Sequence, residues 1–342
     1  MEPLTERQRA LLKIIVGDYI SSAMPVASEL VAGKYTLKVS PATIRNEMAA
    51  LEELGLVTHP HTSAGRVPTD KGYRYYVESL MEEAELPQVE RLMIQHQFHQ
   101  VELELDQWLR LAMAILAHSV QSAALITPPV AARSRVRHFE LISVQEDLAL
   151  MVFVLQGGTV KEQMLSFDRP LAQGELSAIA NRLNSLFQEA TAEQIQGKLN
   201  QLGGLERQVA EVLVKIVRQL DELGHQEVYH NGLINVLSQP EFSQVDRARQ
   251  ILELLEQRSF LSAVMPQVLM SEGVQVIIGA ENPWEKLRQF SMVLSRYGVK
   301  GEAAGVLGVL GPTRLPYWRA ISTVRFMAQL MSGLLGELYG ER

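Results

Sequence analysis

The chain has 342 residues, 47% of them hydrophobic and 21% charged, an ordinary globular mixture long enough for two or three domains. It contains no cysteine, which excludes disulfides, thiolate metal sites and cysteine nucleophiles and favours an intracellular address. Its net charge of −7 is unevenly placed: residues 1–80 hold nine basic and nine acidic side chains, so the acidic excess lies wholly in 81–342. That balance argues against non-specific coating of nucleic acid and leaves room for a small reader domain on an acidic body. The charged residues 1–7 lack the apolar run of a signal peptide. The longest apolar run, Leu148–Leu155, is under half of the roughly 18 residues a membrane span needs, so a cytoplasmic protein is expected.

Thr5 and Gln8 match a capping box heading a helix over 5–20, with Leu11, Leu12, Ile15, Val16 and Tyr19 on one face. Pro25 is expected to open a second short helix through Ala27, Leu30 and Val31, stopping near Gly33. Ser40-Pro41, a preferred cap followed by proline at the first helical position, announces a third helix that ends at Gly55. Ile44, Met48, Leu51 and Leu54 fall on its inner face, and Ala42, Asn46, Ala49 and Glu53 on its outer face, flanked by Thr43 and Arg45. Short strands at 56–58 and 66–67 enclose a turn-rich loop, and Pro68-Thr69-Asp70 begins a helix carrying Lys71, Tyr73, Arg74, Tyr75 and Tyr76.

Beyond an acidic, proline-ended linker at 82–87, one long helix is expected over 89–118, with Val101, Leu105, Trp108, Ala112 and Ile115 at helical spacing. Residues 138–144, 149–156 and 160–167 read as an antiparallel meander, and 172–223 and 244–257 as helical. Strands return at 274–278, 290–295 and 305–310. A last helix spans 316–339, with its Ile321, Val324, Ala328, Met331, Leu335 and Leu338 stripe assigned to core packing rather than to a dimer surface. The domains are thus expected at 1–80, a linker and connecting helix at 81–118, and a body at 119–342.

Three short helices followed by a two-stranded loop make a winged-helix pattern, in which the third helix enters the DNA major groove and the hairpin lies on the backbone. The outer face of that helix suits the task. Asn46 carries the paired donor and acceptor an adenine edge needs, Arg45 can make two bonds to guanine, and the Thr43 methyl can meet a thymine methyl. Ser40, His61, Thr62, Ser63, Gly65, Arg66, Lys71 and Arg74 are the expected backbone and wing contacts, with Gly65 permitting an unusual turn. The same helical pattern also serves as a protein-binding module; the capped helix and basic, glycine-containing wing favour DNA.

Val39-Ser40-Pro41-Ala42-Thr43-Ile44-Arg45-Asn46-Glu47-Met48 and the stretch His61-Thr62-Ser63-Ala64-Gly65-Arg66-Val67-Pro68-Thr69-Asp70-Lys71-Gly72-Tyr73-Arg74-Tyr75-Tyr76 closely resemble the heat-inducible transcription repressor HrcA family. Asn231-Gly232-Leu233-Ile234-Asn235-Val236-Leu237 with Pro240-Glu241-Phe242, and Gly308-Val309-Leu310-Gly311-Pro312-Thr313-Arg314, agree with it. Leu315 stands where methionine is expected and Val67 where isoleucine is commoner, and neither is a proposed DNA contact. The resemblance implies an α+β protein: an N-terminal winged-helix DNA-binding domain plus a GAF-like α/β domain interrupted, somewhere within about 138–260, by an inserted dimerising segment. It implies a homodimeric repressor of chaperone operons that binds an inverted-repeat operator of the CIRCE type and is kept active by the chaperonin GroEL. A GAF-like metabolite sensor is the competing reading.

Other chemistries find little support. His59 and His61, and His96 and His99, are close enough in sequence to suggest a metal, but no cysteine joins them and no His-Glu-x-x-His pattern occurs. Gly301, Gly305, Gly308 and Gly311 follow no nucleotide-loop order, and no nucleophile elbow occurs. The acidic pairs Glu52-Glu53 and Glu82-Glu83 read as solvated. No enzymatic activity and no cofactor are expected. Asn231, Thr313 and Arg314 remain a possible ligand site, with fold maintenance or an interdomain contact the preferred reading.

Overall fold

The computed structural model describes residues 4–34, 39–61, 65–82, 85–101, 104–131, 134–155, 160–223, 228–242, 267–299 and 303–339. Contacts divide the chain into two compact units, one of Met1–Thr127, Val228–Tyr297 and Val306–Leu334, the other of Pro128–Glu227, Gly298–Gly305 and Leu335–Arg342.

The first unit opens with α1 (Glu6–Ser22), whose Thr5 hydroxyl accepts from the Gln8 backbone N–H at 3.2 Å while the Gln8 side chain accepts from the Thr5 N–H at 3.0 Å. These bonds satisfy amides that a helix start leaves orphaned. Leu11, Leu12, Ile15 and Val16 are buried. The second helix, α2, runs over Ser28–Lys34 and not from Pro25. Pro25 is followed by extended chain because Val26 exchanges two backbone hydrogen bonds of 2.9 Å with Arg66, a long-range pairing that displaces the local helix preference. Val31 is buried, whereas Leu30 points outward.

Ser40 caps α3 (Pro41–Glu53) by accepting from the Thr43 N–H at 3.2 Å. Ile44, Met48 and Leu51 are buried beneath it. Gly55 adopts φ +70°, and the Leu56 and Gly55 amides turn back to the carbonyls of Leu51 and Glu52, closing the helix end. The wing is a minimal ladder, β1 (Val57–Thr58) against β2 (Val67–Pro68). Thr69 caps α4 (Asp70–Tyr75), which continues as a π-helical turn over Tyr76–Leu80.

The single helix expected over 89–118 is two, α5 (Gln88–His99) and α6 (Leu105–Val120). The Gln100 and Val101 amides tighten onto carbonyls three residues back, ending α5, and the two helices pack against each other. The apolar period continues across the break, so periodicity alone does not reveal that the chain turns.

The second unit holds the meander β5 (Val136–Gln145), β6 (Leu148–Leu155) and β7 (Val160–Ser166), antiparallel and in that order; ahead of it the short strand β4 (Val130–Ala131) pairs with Ala303 and Ala304. Ala149, Met151, Phe153 and Leu155 alternate into a core completed by α7 (Gln173–Phe187), α8 (Ala192–Lys198) and α9 (Gly204–Leu223). The Asn184 side chain ties α7 to β5 by bonding both the Phe139 N–H (3.0 Å) and its carbonyl (2.7 Å). The other face is apolar too: Ile142 stands opposite Leu150, which stands opposite Met164.

The first unit then resumes. With β3 (Ala123–Ile126), the strands β8 (Tyr229–Asn231), β9 (Val274–Ile278), β10 (Phe290–Gly298) and β11 (Ala303–Pro312) form a sheet of order β8-β3-β11-β10-β9. The short helix α10 (Leu233–Leu237) follows β8, and α11 (Tyr317–Tyr339) closes the chain with Ile321, Val324, Ala328 and Met331 buried. Phe242 stacks on Phe290 with ring centroids 4.9 Å apart. The helix expected at 244–257 lies outside the described residues. No helix among the described residues is long and apolar enough to cross a membrane.

Gly72 lies so close to the wing that a Cβ would overlap the Leu56 carbonyl oxygen, whereas a Cβ on Gly17 would meet open space. Gly72→Ala should therefore cost roughly 1–3 kcal/mol in urea unfolding, while Gly17→Ala, inside α1, should gain about 0.5–1 kcal/mol.

Candidate nucleic-acid interface

On α3 the outward residues Ala42, Arg45, Asn46, Ala49 and Glu53 are exposed, a face with small residues at two positions and polar heads between them. Thr43 is half-buried, its hydroxyl 3.0 Å from that of the capping Ser40. Arg45 donates from an Nη to Glu29 of α2 at 2.7 Å. His61 is exposed, and Thr62 and Ser63 lie outside the described residues.

The wing differs from expectation at two residues. Gly65 has no left-handed φ; it is required because a Cβ would overlap the Val26 backbone that pairs with the wing. Arg66 does not project to solvent. Its Nη2 lies 2.8 Å from Glu52, its side chain is only 20% exposed, and its Nε is buried without a hydrogen-bond partner. His59 contacts the other Glu52 oxygen. Glu52 is thus an anchor between α3 and the wing rather than a solvated acid.

Lys71 donates at 2.7 Å to the Leu54 carbonyl at the end of α3, supplying a partner that the helix terminus lacks. Arg74, expected as a backbone contact, is bound to the protein. Its Nε donates to Glu281 at 2.7 Å, and its Nη2 to the Val276 carbonyl at 2.7 Å and to the second Glu281 oxygen. Beside it, Asp70 accepts from the Ala280 N–H at 2.8 Å, which requires glycine at 279, where φ is +49° and a Cβ would overlap the Asp70 carboxylate. Tyr73 is buried against Tyr317, ring centroids 5.7 Å apart, and burial pushes its hydroxyl well above the ordinary tyrosine value. The Tyr317 hydroxyl meets Ser291 Oγ at 2.9 Å and donates to the Thr313 carbonyl at 2.5 Å.

Arg314 closes a second clamp. It donates to Glu241 at 2.5 and 3.2 Å, to the Gln239 side chain at 2.5 Å and to the Ile20 carbonyl at the end of α1 at 3.1 Å. Arg314 thus joins the end of α1 to the 239–241 segment. Asn231 ends β8 opposite Ala124, with its side chain exposed. Gly232, at φ +75°, packs where a Cβ would strike Ala117 and Ser122, and the adjacent Asn235 donates to those two carbonyls at 3.2 and 3.4 Å. Glu29, Glu52, Glu281, Gln239 and Tyr317 carry none of the local signals that single out a site, because each acts on a partner distant in the chain. Among the described residues no group of three or more His, Asp or Glu could hold a metal ion.

Two family models match. Residues 3–81 fit the winged helix-turn-helix transcription repressor, HrcA DNA-binding, and 106–321 fit the HrcA protein C-terminal domain. The chain belongs to the HrcA family. Relatives named heat-inducible transcription repressor HrcA from Roseiflexus castenholzii and Herpetosiphon aurantiacus are each 50% identical, covering 98% and 99% of this chain and 96% and 97% of theirs. One from Dehalococcoides mccartyi is 44% identical over 99% of this chain and 98% of its own. A crystal structure described as a hypothetical protein shares the fold with a TM-score of 0.62 and 26% identity, over 98% of this chain and 99% of that one. The HrcA winged helix in this chain therefore has its α3 face exposed while Arg66 and Arg74 are bound to protein carboxylates.

Arg314→Met removes a charged donor from half-buried acceptors and should cost about 1.5–3 kcal/mol in denaturant unfolding. Burial raises the Glu281 carboxyl, but the Arg74 hydrogen bond and the Ile278 N–H outweigh it and hold the pKa below the usual value. The stability it contributes is present above the unfolded carboxylate value of about 4.3 and is lost as pH falls through the lowered folded one. Glu281→Gln should accordingly flatten the loss of stability below about pH 4–5 relative to the unsubstituted protein, read from urea midpoints across pH.

Proposed function

We propose that the protein is a homodimeric, sequence-specific transcriptional repressor of heat-shock chaperone operons, reading an inverted-repeat operator of the CIRCE type. The observation that carries this reading is the exposed α3 face, with Arg45 and Asn46 set between Ala42 and Ala49 beside a wing. Asn46 and Arg45 take base edges, with Thr43 in support; Ser40, Lys71 and the wing residues His61, Thr62 and Ser63 take the backbone. Arg66, held by Glu52, sets the angle of the wing, and Arg74 sets the seat of the whole domain. The protein acts in the cytoplasm and without catalysis.

A two-fold operator calls for a two-fold protein. The meander unit supports the role of inserted dimerising segment, because the outer side of β6 leaves Leu148, Leu150, Val152 and Val154 half-exposed between Ile142 and Met164. The sheet order β8-β3-β11-β10-β9, flanked by helices, supports the GAF-like reading of the body. Chaperonin GroEL, by the resemblance, maintains the repressor, so that misfolded protein competing for chaperonin would relieve repression. The metabolite-sensor reading draws no support from Arg314, whose guanidinium bonds to the protein itself.

Anisotropy titration against the inverted repeat and a scrambled duplex at two salt concentrations, with and without chaperonin, tests the proposal. The expected preference is about a thousandfold or more, and Asn46→Ala should remove roughly 1–3 kcal/mol of it at one base pair. Equal binding to both duplexes under every condition would refute sequence-specific repression.

A further inference from the structure

The contact between Arg45 and Glu29 is an ion pair on the surface meant for DNA. Glu29 sits on α2, which packs directly on α3, so the two side chains meet from adjacent rigid elements. The Glu29 carboxylate also has partners other than Arg45. Its own backbone N–H and the Ser28 hydroxyl bond to it, and these contacts, more than Arg45, keep its pKa below the usual carboxylate range. The frame beneath is fixed as well. Val26, two residues before α2, is bonded to the wing, and Lys34 at the end of α2 reaches Asp18 of α1 at 2.6 Å.

An exposed arginine has many rotamers, and freezing them opposes a bond to a base. A carboxylate on one Nη removes much of that freedom beforehand, yet engages a single edge of the guanidinium and leaves the remaining N–H groups for another planar acceptor. The same negative charge, standing beside a phosphate backbone, weakens binding to every sequence alike.

Resting on the reading of Arg45 as a base contact, we propose that Glu29 is the positioning residue for Arg45 and a determinant of specificity: it orients the guanidinium toward guanine O6 and N7 and penalises DNA that lacks that guanine. Glu29 touches no base. On operator DNA the pre-oriented arginine recovers the penalty through two hydrogen bonds; on other DNA the penalty stands. Exposed ion pairs add little to folding, so the effect belongs to discrimination and not to stability.

The test uses the full chain and anisotropy titrations on the operator duplex, on duplexes with each G·C pair of the half-site exchanged symmetrically, and on a random duplex. Arg45→Ala should lose about ten- to a hundredfold of preference at one G·C pair. Glu29→Gln should lose about three- to tenfold of preference at that same pair, and bind random DNA more tightly with an unchanged melting curve. In the Arg45→Ala background, Glu29→Gln should leave discrimination at that pair unchanged while still tightening random binding. If Glu29→Gln tightens all duplexes equally, or changes none, Glu29 does not position Arg45 and the proposal fails while the base contact stands. If Arg45→Ala keeps full preference at every pair, the base contact itself fails, and the proposal with it.

Discussion

Two arginine clamps seat the winged helix on the sheet, and the geometry of the first unit follows from them. Arg74 leaves α4 to bind Glu281 and the open carbonyl of Val276, at the edge of the sheet, while Arg314 leaves the end of β11 to bind Glu241, Gln239 and the last turn of α1. Each guanidinium joins a carboxylate and a backbone carbonyl, so each supplies donors to half-buried groups at a helix end or a strand edge. Between the clamps lie Tyr73 and Tyr317, which exclude water and so strengthen the charged bonds around them. The Tyr73 hydroxyl is buried there without a hydrogen-bond partner, a local cost that the surrounding packing must offset.

The distribution of basic side chains in the winged helix is a consequence. Of the basic residues in and after the wing, Arg66 is committed to Glu52 and Arg74 to Glu281. The domain has no net charge to spare, so its contact with DNA rests on few groups placed well rather than on a basic field. In the proposed reading that places the weight on α3, whose Ala42 and Ala49 are small and exposed and whose Arg45 is paired with Glu29. A reader with a modest electrostatic term gains relatively more from base contacts.

Local chemistry was legible. The Thr5–Gln8 capping box, the Ser40-Pro41 start, the Gly55 stop and the alternation of β6 each follow from local sequence, and the elements stand within a few residues of where those signals put them. The signals failed where a distant strand or helix competed. Val26 was drawn out of α2 by the Arg66 backbone forty residues away, and the apolar period through 89–118 could not register a turn that kept its phase. Arginine identity was equally ambiguous: a basic residue beside a wing reads as a phosphate contact until its carboxylate is known, and Glu281 lies 207 residues from Arg74.

The sequence by itself therefore determined the helix caps, the recognition helix with its inner and outer faces, the meander and the family, because these depend on spacing and on short-range hydrogen bonds. Only the tertiary structure decided which arginines face solvent, why Gly65, Gly72 and Gly279 must be glycine, and that Glu29, Glu52 and Glu281 pair with arginines. Those outcomes are set by which surfaces meet, and an ion pair or a steric overlap between residues far apart in the chain leaves no trace in the local pattern of either one.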